Sequence, residues 1–259
     1  MTLCIVWREA GNVKFVSDSR LTFSQIGSSD CGIKVVRIPF NIYGPDEDDV
    51  APLILSGDLG MAFAGNAVGA LMVKEALAEV LVRMQAVPSF HDYSMEGIAD
   101  FVFRAYRVIS AELCATILEH GRTCIVFAGY CAIQKRLRAF RIETDHQNFC
   151  HKREVLVSDG QHEAFGSGAS PQLNASIAGQ GEQNIVQALL SVIDDPAIPG
   201  VGGNVQYGRF KGSNFQTLGV AKLSDDGVHY WRGPLDLNGP DFDQSDGLIP
   251  NFPLLNMIG

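Results

Sequence analysis

Thr2-Leu3-Cys4-Ile5-Val6-Trp7, a turn at Gly11-Asn12, and Val13-Lys14-Phe15-Val16-Ser17-Asp18-Ser19-Arg20 open the chain, and Lys34-Val35-Val36-Arg37-Ile38 follows. The first two runs alternate, are rich in β-formers and flank a hairpin signal; the third reads as another strand. Removal of Met1 would leave Thr2 as the terminus, with a hydroxyl and an α-amine on neighbouring carbons. A threonine hydroxyl is a weak nucleophile until a base takes its proton, and an N-terminal amine can be that base. Such an amine titrates near 7.7–8.0 unperturbed, so a useful fraction is neutral at about pH 7. A nearby lysine ammonium raises that fraction, because like charges disfavour protonating the amine. A carboxylate beside the lysine keeps it charged and aimed. Thr2, Lys34 and Asp18 supply these parts if the strands bring them together.

Outward from this segment, Leu21 to Gly32 is polar and glycine-bearing and reads as loop. After the strand at 34–38 comes an insert, 39–52, whose run Asp46-Glu47-Asp48-Asp49 reads as a solvated loop without metal-ligand spacing. Strand pieces are predicted at 53–55 and 60–64. Helical periodicity covers 67–84 and ends before Pro88; Ser94 caps a second long helix reaching about residue 120, stopped by Gly121. Phe103 and Tyr106 fall away from the main apolar face of that helix and read as interface anchors. Strands follow at 123–131, 137–143 and 154–157, helices at 169–178 and 183–193, and strands at 204–209, 216–223 and 228–231. The tail from Gly233 reads as a meandering extension, and its Asp241-to-Gly247 run as a solvated turn rather than a calcium loop. Strands, two helices, strands, two helices, strands: this order favours an α+β layer fold with antiparallel sheets, two sheets stacked between helix pairs.

Composition narrows the function. The chain has 259 residues, 46% hydrophobic and 19% charged, which describes a globular protein with a sizeable core. A net charge of −9 offers no basic stripe for phosphates and argues against nucleic acid. Six cysteines form no C-x-x-C pair and read as buried free thiols of a reducing compartment. No secretory signal and no run of transmembrane length is visible, so a cytoplasmic protein without a membrane partner is expected. The six histidines show neither i, i+4 pairing nor H-E-x-x-H, and no metal site is read.

Thr2, Asp18-Ser19-Arg20 and Lys34, followed by Met61-Ala62-Phe63-Ala64-Gly65-Asn66, Val126-Phe127-Ala128-Gly129-Tyr130 and Ala164-Phe165-Gly166-Ser167-Gly168-Ala169, resemble the proteasome β-type N-terminal-nucleophile hydrolases. Among bacterial relatives the resemblance is nearest to the β-proteobacterial homologue, with Anbu and the heat-shock-locus V peptidase more distant. It implies a four-layer αββα sandwich over residues 1–232 with a C-terminal extension at 233–259. It implies that Asp18 pairs with Lys34, that Arg20 braces the loop, and that the Gly65 N–H serves an oxyanion hole. It places Arg20, Leu21, Thr22, Phe63 and Ala67 about the substrate, with Phe63 shrinking the pocket base. An Asp and a Ser near 194–203 belong against the nucleophile's amine in the family. Here Asp195 is the candidate, and no serine stands in the turn Pro199-Gly200-Val201-Gly202-Gly203. Ser167 does not fit a G-x-S-x-G elbow and reads as a helix-entry turn.

The function implied is a self-compartmentalising threonine peptidase without metal or cofactor, acting on peptides or unfolded polypeptides. Stacked rings of seven identical subunits are expected, six being the alternative; the sequence names no ATPase partner. Two other readings stay open: a ring-forming scaffold with a vestigial site, and a small-molecule amidase.

Overall fold

The computed structural model describes residues 2–23, 27–45, 51–87, 93–224, 227–242 and 251–255. The expectations for Met1, the acidic run Asp46 to Asp49, Pro88 and residues 243–247 lie outside the described residues. Strands β1 (Cys4–Glu9) and β2 (Asn12–Ser17) form the first hairpin. A small hairpin, β3 (Leu21–Phe23) and β4 (Gly27–Ser29), occupies the segment expected to be loop. A long hairpin follows, β5 (Val35–Tyr43) and β6 (Leu53–Gly65). Helix α1 (Ala67–Val80), the short β7 (Met84–Gln85) and helix α2 (Met95–Ile117) lead to β8 (Thr123–Cys131), β9 (Arg136–Thr144), β10 (Cys150–Val155) and β11 (His162–Phe165). Helices α3 (Pro171–Ile177) and α4 (Glu182–Ile193) precede β12 (Gln206–Lys211), β13 (Asn214–Ser224), β14 (Gly227–Arg232), β15 (Leu235–Asp236) and β16 (Leu254–Leu255).

The strands make a mixed α+β fold. One eight-stranded sheet runs β11-β1-β2-β12-β13-β14-β15, with β16 beside β13, and a six-stranded sheet runs β10-β9-β8-β6-β5-β7. Both sheets are buried on two faces, which is why β1 is apolar throughout. Its Cys4 and Val6 join Val35, Ala62, Ala64, Val126 and Phe215 in a cluster drawn from both sheets. Its Ile5 and Trp7 face the other way, onto Leu173 and Ile177 of α3 and Ile185 and Leu189 of α4. On the six-stranded sheet, Met61 and Phe63 alternate with Ala62 and Ala64 and pack under Val73 and Leu77 of α1 and Val102 and Tyr106 of α2.

Three local expectations are corrected. The insert at 39–52 is not a loop from Pro39 onward: β5 continues to Tyr43 and β6 starts at Leu53, one strand where two pieces were expected. Pro39 is tolerated because its missing N–H falls where β5 has only β6 alongside; β7 joins at Ile42 and Tyr43. Tyr106 is not an interface anchor: it is fully buried, with its hydroxyl bonded to the Thr123 carbonyl and the Thr144 hydroxyl, and Phe103 packs against the same core. The buried stripe of α2 runs Ile98, Val102, Tyr106, Ser110, Cys114, because Thr144 on β9 satisfies the polar members. The described part of the C-terminal extension is knitted to the eight-stranded sheet: β16 pairs in parallel with β13, and Gly219 N donates to Pro253 O at 3.0 Å.

Candidate active site

Asp18 follows β2 and Lys34 precedes β5, so the two approach from different sheets. Lys34 Nζ donates to Asp18 Oδ1 at 2.8 Å, and both side chains are wholly buried. The same Oδ1 accepts the Leu3 N–H at 3.0 Å, while Oδ2 accepts the N–H groups of Arg20 and Gly202, each at 3.1 Å. Four donors on one buried carboxylate replace the hydration it loses. Asp18 is thereby bonded to Leu3, the residue between Thr2 and the start of β1.

Thr2 is itself held from the far side. Its nitrogen donates to Ser167 Oγ at 3.1 Å, and its carbonyl accepts the Gly168 N–H at 3.1 Å. Gly166 has φ +98°, and a Cβ there would collide with the Thr2 carbonyl oxygen. Ser167 lies in the turn closed by Ala169 N on Gly166 O ahead of α3, as expected, but it also bonds Thr2; the cap of α3 is Ser170, whose Oγ accepts the Leu173 N–H at 3.1 Å. Sequence reasoning missed Ser167 as a site residue. Its signal was the flanking glycines, which mark a close backbone approach and force the residue between them to face the approached segment.

A cleft of about 880 Å³ opens beside Thr2, lined by Leu21, Thr22, Ala64, Gly65, Ala67, Ile117, Phe165 and Ser167 among others. Gly65, at φ +93°, could not carry a side chain there, since a Cβ would lie 2.6 Å from Arg122 O. Asn66 then caps α1, its Oδ1 accepting the Gly69 N–H at 2.6 Å. Arg141 on β9 bridges Glu143 and Glu163 at 2.6 and 2.9 Å at the polar end of the cleft. Burial alone would lower the Arg141 pKa, but these carboxylates hold it above its ordinary value. Burial also pushes the Cys4 and Cys124 thiols up to about 12, so neither competes as a thiolate nucleophile near neutral pH.

Three expected site residues stand elsewhere. Phe63 is 2% exposed and faces the helix side of β6, so period-two alternation turns Ala64 to the cleft and leaves it roomy. Arg20 does not line the cleft and acts as a brace: it is bidentate to Asp30 at 2.7 and 3.0 Å and reaches Pro199 O at 3.1 Å. Asp195 is exposed after α4, its Oδ1 accepting the Ala197 N–H at 2.8 Å, and it does not line the cleft. The Gly202-Gly203 turn clasps residues 18–20 instead, with Gly202 O accepting the N–H groups of Ser19 and Arg20. Among the described residues no cluster of three metal-ligating side chains occurs, and no helix is long and apolar enough to cross a membrane.

No protein-family model matches the chain, and no curated protein matches it by sequence. Solved structures do. Anbu (ancestral beta-subunit) from Yersinia bercovieri aligns with a TM-score of 0.60 at 15% identity, over 83% of this chain and 86% of that one. The chain has an Anbu-like fold. An Anbu (Gly-1) mutant from Hyphomicrobium sp. strain MC1 gives 0.55 at 16% identity, over 84% of each chain. A helical assembly of the Anbu complex from Pseudomonas aeruginosa gives 0.55 at 16%, over 83% of this chain and 85% of that one. The sequence resemblance ranks the β-proteobacterial homologue nearer than Anbu; these likenesses support it at the level of proteasome-like folds.

Proposed function

We propose that the chain is a four-layer αββα N-terminal-nucleophile hydrolase whose nucleophile is Thr2 once Met1 is removed. The observation that supports this most is the placement of Thr2: at the lip of the cleft, with its nitrogen on Ser167 Oγ and the buried Asp18–Lys34 pair bonded to the next residue, Leu3. In this reading Thr2 Oγ attacks an amide carbonyl while the α-amine takes the hydroxyl proton and later delivers it to the leaving amine. The Gly65 N–H stabilises the oxyanion. Lys34 keeps the amine largely neutral, and Asp18 fixes Lys34. Water then hydrolyses the ester on Thr2. Peptides or unfolded polypeptides are the proposed substrates.

Assembly belongs to the same proposal. One Anbu neighbour is described as a helical assembly of a complex. The outer surface of α1 and α2 here exposes Leu71, Met72 and Val108, and Leu118 follows at the end of α2. An apolar surface of this kind suits a homo-oligomeric contact. Stacked rings of seven or six would enclose the site; a head-to-tail helix would leave it open and favour the scaffold reading. Sedimentation at micromolar concentration tests assembly, and a species of 28.1 kDa, the monomer mass, excludes it. The catalytic reading is tested by peptide hydrolysis. Lys34→Ala is expected to lose most activity, and Lys34→Arg to recover little, because a planar guanidinium does not fit a site built for a compact ammonium. A Lys34→Arg rate near wild type would contradict the role given to Lys34.

A further inference from the structure

Gln206 is the first residue of β12 and has no exposed surface. Its backbone sits opposite Ser17 in the eight-stranded sheet, one residue from Asp18. Its side chain reaches the other sheet, where Oε1 accepts the N–H groups of Lys34 at 2.8 Å and Val35 at 3.3 Å. The same oxygen accepts from Arg232 Nη1 at 3.2 Å. Nε2 donates to Gly32 O at 2.6 Å and Asp18 O at 3.3 Å. Three donors on one side and two carbonyls on the other leave the amide a single orientation. Arg232, buried at the end of β14, adds a bond from Nη2 to Val35 O at 2.6 Å. Its guanidinium therefore meets an amide and a peptide carbonyl, a costly arrangement for a buried cation.

We propose that Gln206, oriented by Arg232, is a positioning residue for the Thr2 nucleophile. It sets the distance between the two strand ends that carry Asp18 and Lys34. Those ends belong to different sheets, which meet mainly through the apolar side chains of their shared cluster, with a few polar ties placed farther off, such as Asp58 Oδ2 with the Phe215 N–H and the Leu137 carbonyl with Arg8. Apolar contact is non-directional and tolerates sliding. The five bonds of one amide do not, and they tie the Asp18 carbonyl and the Lys34 N–H to the same group. The kinetic consequence rests on the threonine-nucleophile reading; the geometric one does not.

The test compares the full-length, Met1-processed protein with Gln206→Met, which keeps the length and removes every polar bond, and with Gln206→Glu and Arg232→Lys. Two quantities are read: inactivation by an amine-and-hydroxyl-directed peptide electrophile, split into its binding and bond-forming constants, and the ¹⁵Nζ resonance of Lys34. Gln206→Met is expected to slow bond formation by roughly 10- to 100-fold, the scale of a misplaced reacting group. Binding should stay within about twofold, because neither residue lines the cleft. Its Lys34 ammonium resonance should broaden as the ion pair loosens. Gln206→Glu keeps the acceptor and should recover part of the rate. Gln206→Met that melts lower yet shows an unchanged rate and resonance below its melting point would mean a purely structural role and overturn the proposal. If the wild type takes no label, the nucleophile reading has failed, and the Lys34 resonance alone decides: broadened in Gln206→Met supports positioning, unchanged overturns it. Should Gln206→Met not fold, Gln206→Glu and Arg232→Lys carry both measurements with the same criteria.

Discussion

The two sides of Thr2 are built differently. Toward the interior, Asp18, Lys34 and Gln206 have no exposed surface, and each is held by backbone as well as side-chain bonds. Beside it, the cleft is open and walled by Leu21, Ala64, Ala67 and Ile117, with Arg141 and Glu143 at its polar end. The interior side is over-determined: moving one group strands another in a dry environment. The cleft side has slack, because small side chains and solvent can absorb a change. In the proposed reading, chemistry that needs fixed geometry belongs to the first side, and substrate choice to the second.

The largest effect is expected where the dry side is broken. Asp18→Ala removes one partner of a buried pair and leaves the Lys34 charge uncompensated, a loss of about 3–5 kcal/mol. Calorimetry should register a fall in Tm of roughly 6–20 °C for a chain of this size. A fall under about 3 °C would mean that water reaches Lys34 and that the two sides are not distinct. Asp195 supplies the counterpart: exposed and bonded to the next turn, its change to Ala should move Tm by only about 1–2 °C and the hydrolysis rate by less than about twofold.

On the open side, Ala67→Phe places a ring in the cleft without entering the Asp18–Lys34 region. Steady-state peptide hydrolysis should show KM raised several-fold with kcat little changed, the pattern of lost ground-state binding. A collapse of kcat at constant KM would show that the cleft wall and the nucleophile are coupled, and would dissolve the comparison.

Legibility in sequence follows the same division. The pairing of Asp18 with Lys34, which the family resemblance implied, was within reach because one hairpin and the strand after it carry both residues. The mixed α+β class was readable from the succession of strands and helix pairs. Ser167 and Gln206 were not, since they meet Thr2 and Lys34 across 165 and 172 residues of chain. Asp195 was misplaced for the same reason: which turn reaches the nucleophile depends on how the Gly202-Gly203 turn docks on residues 18–20. Phe63 was misread by face, since motif position alone does not say which side of β6 meets the helices. Tyr106 was misread because its burial depends on Thr123 and Thr144 as hydrogen-bond partners from other strands.

The central claim is that Thr2 carries the nucleophile and its base on one residue. It is tested most directly by treating the protein from its natural host with an electrophile that needs an adjacent hydroxyl and amine, then mapping the adduct by mass spectrometry. The account predicts a single adduct on an N-terminal peptide that begins at Thr2 and lacks Met1, and none in Thr2→Ala. An N-terminal peptide that retains Met1, or equal labelling of Thr2→Ala, would contradict it.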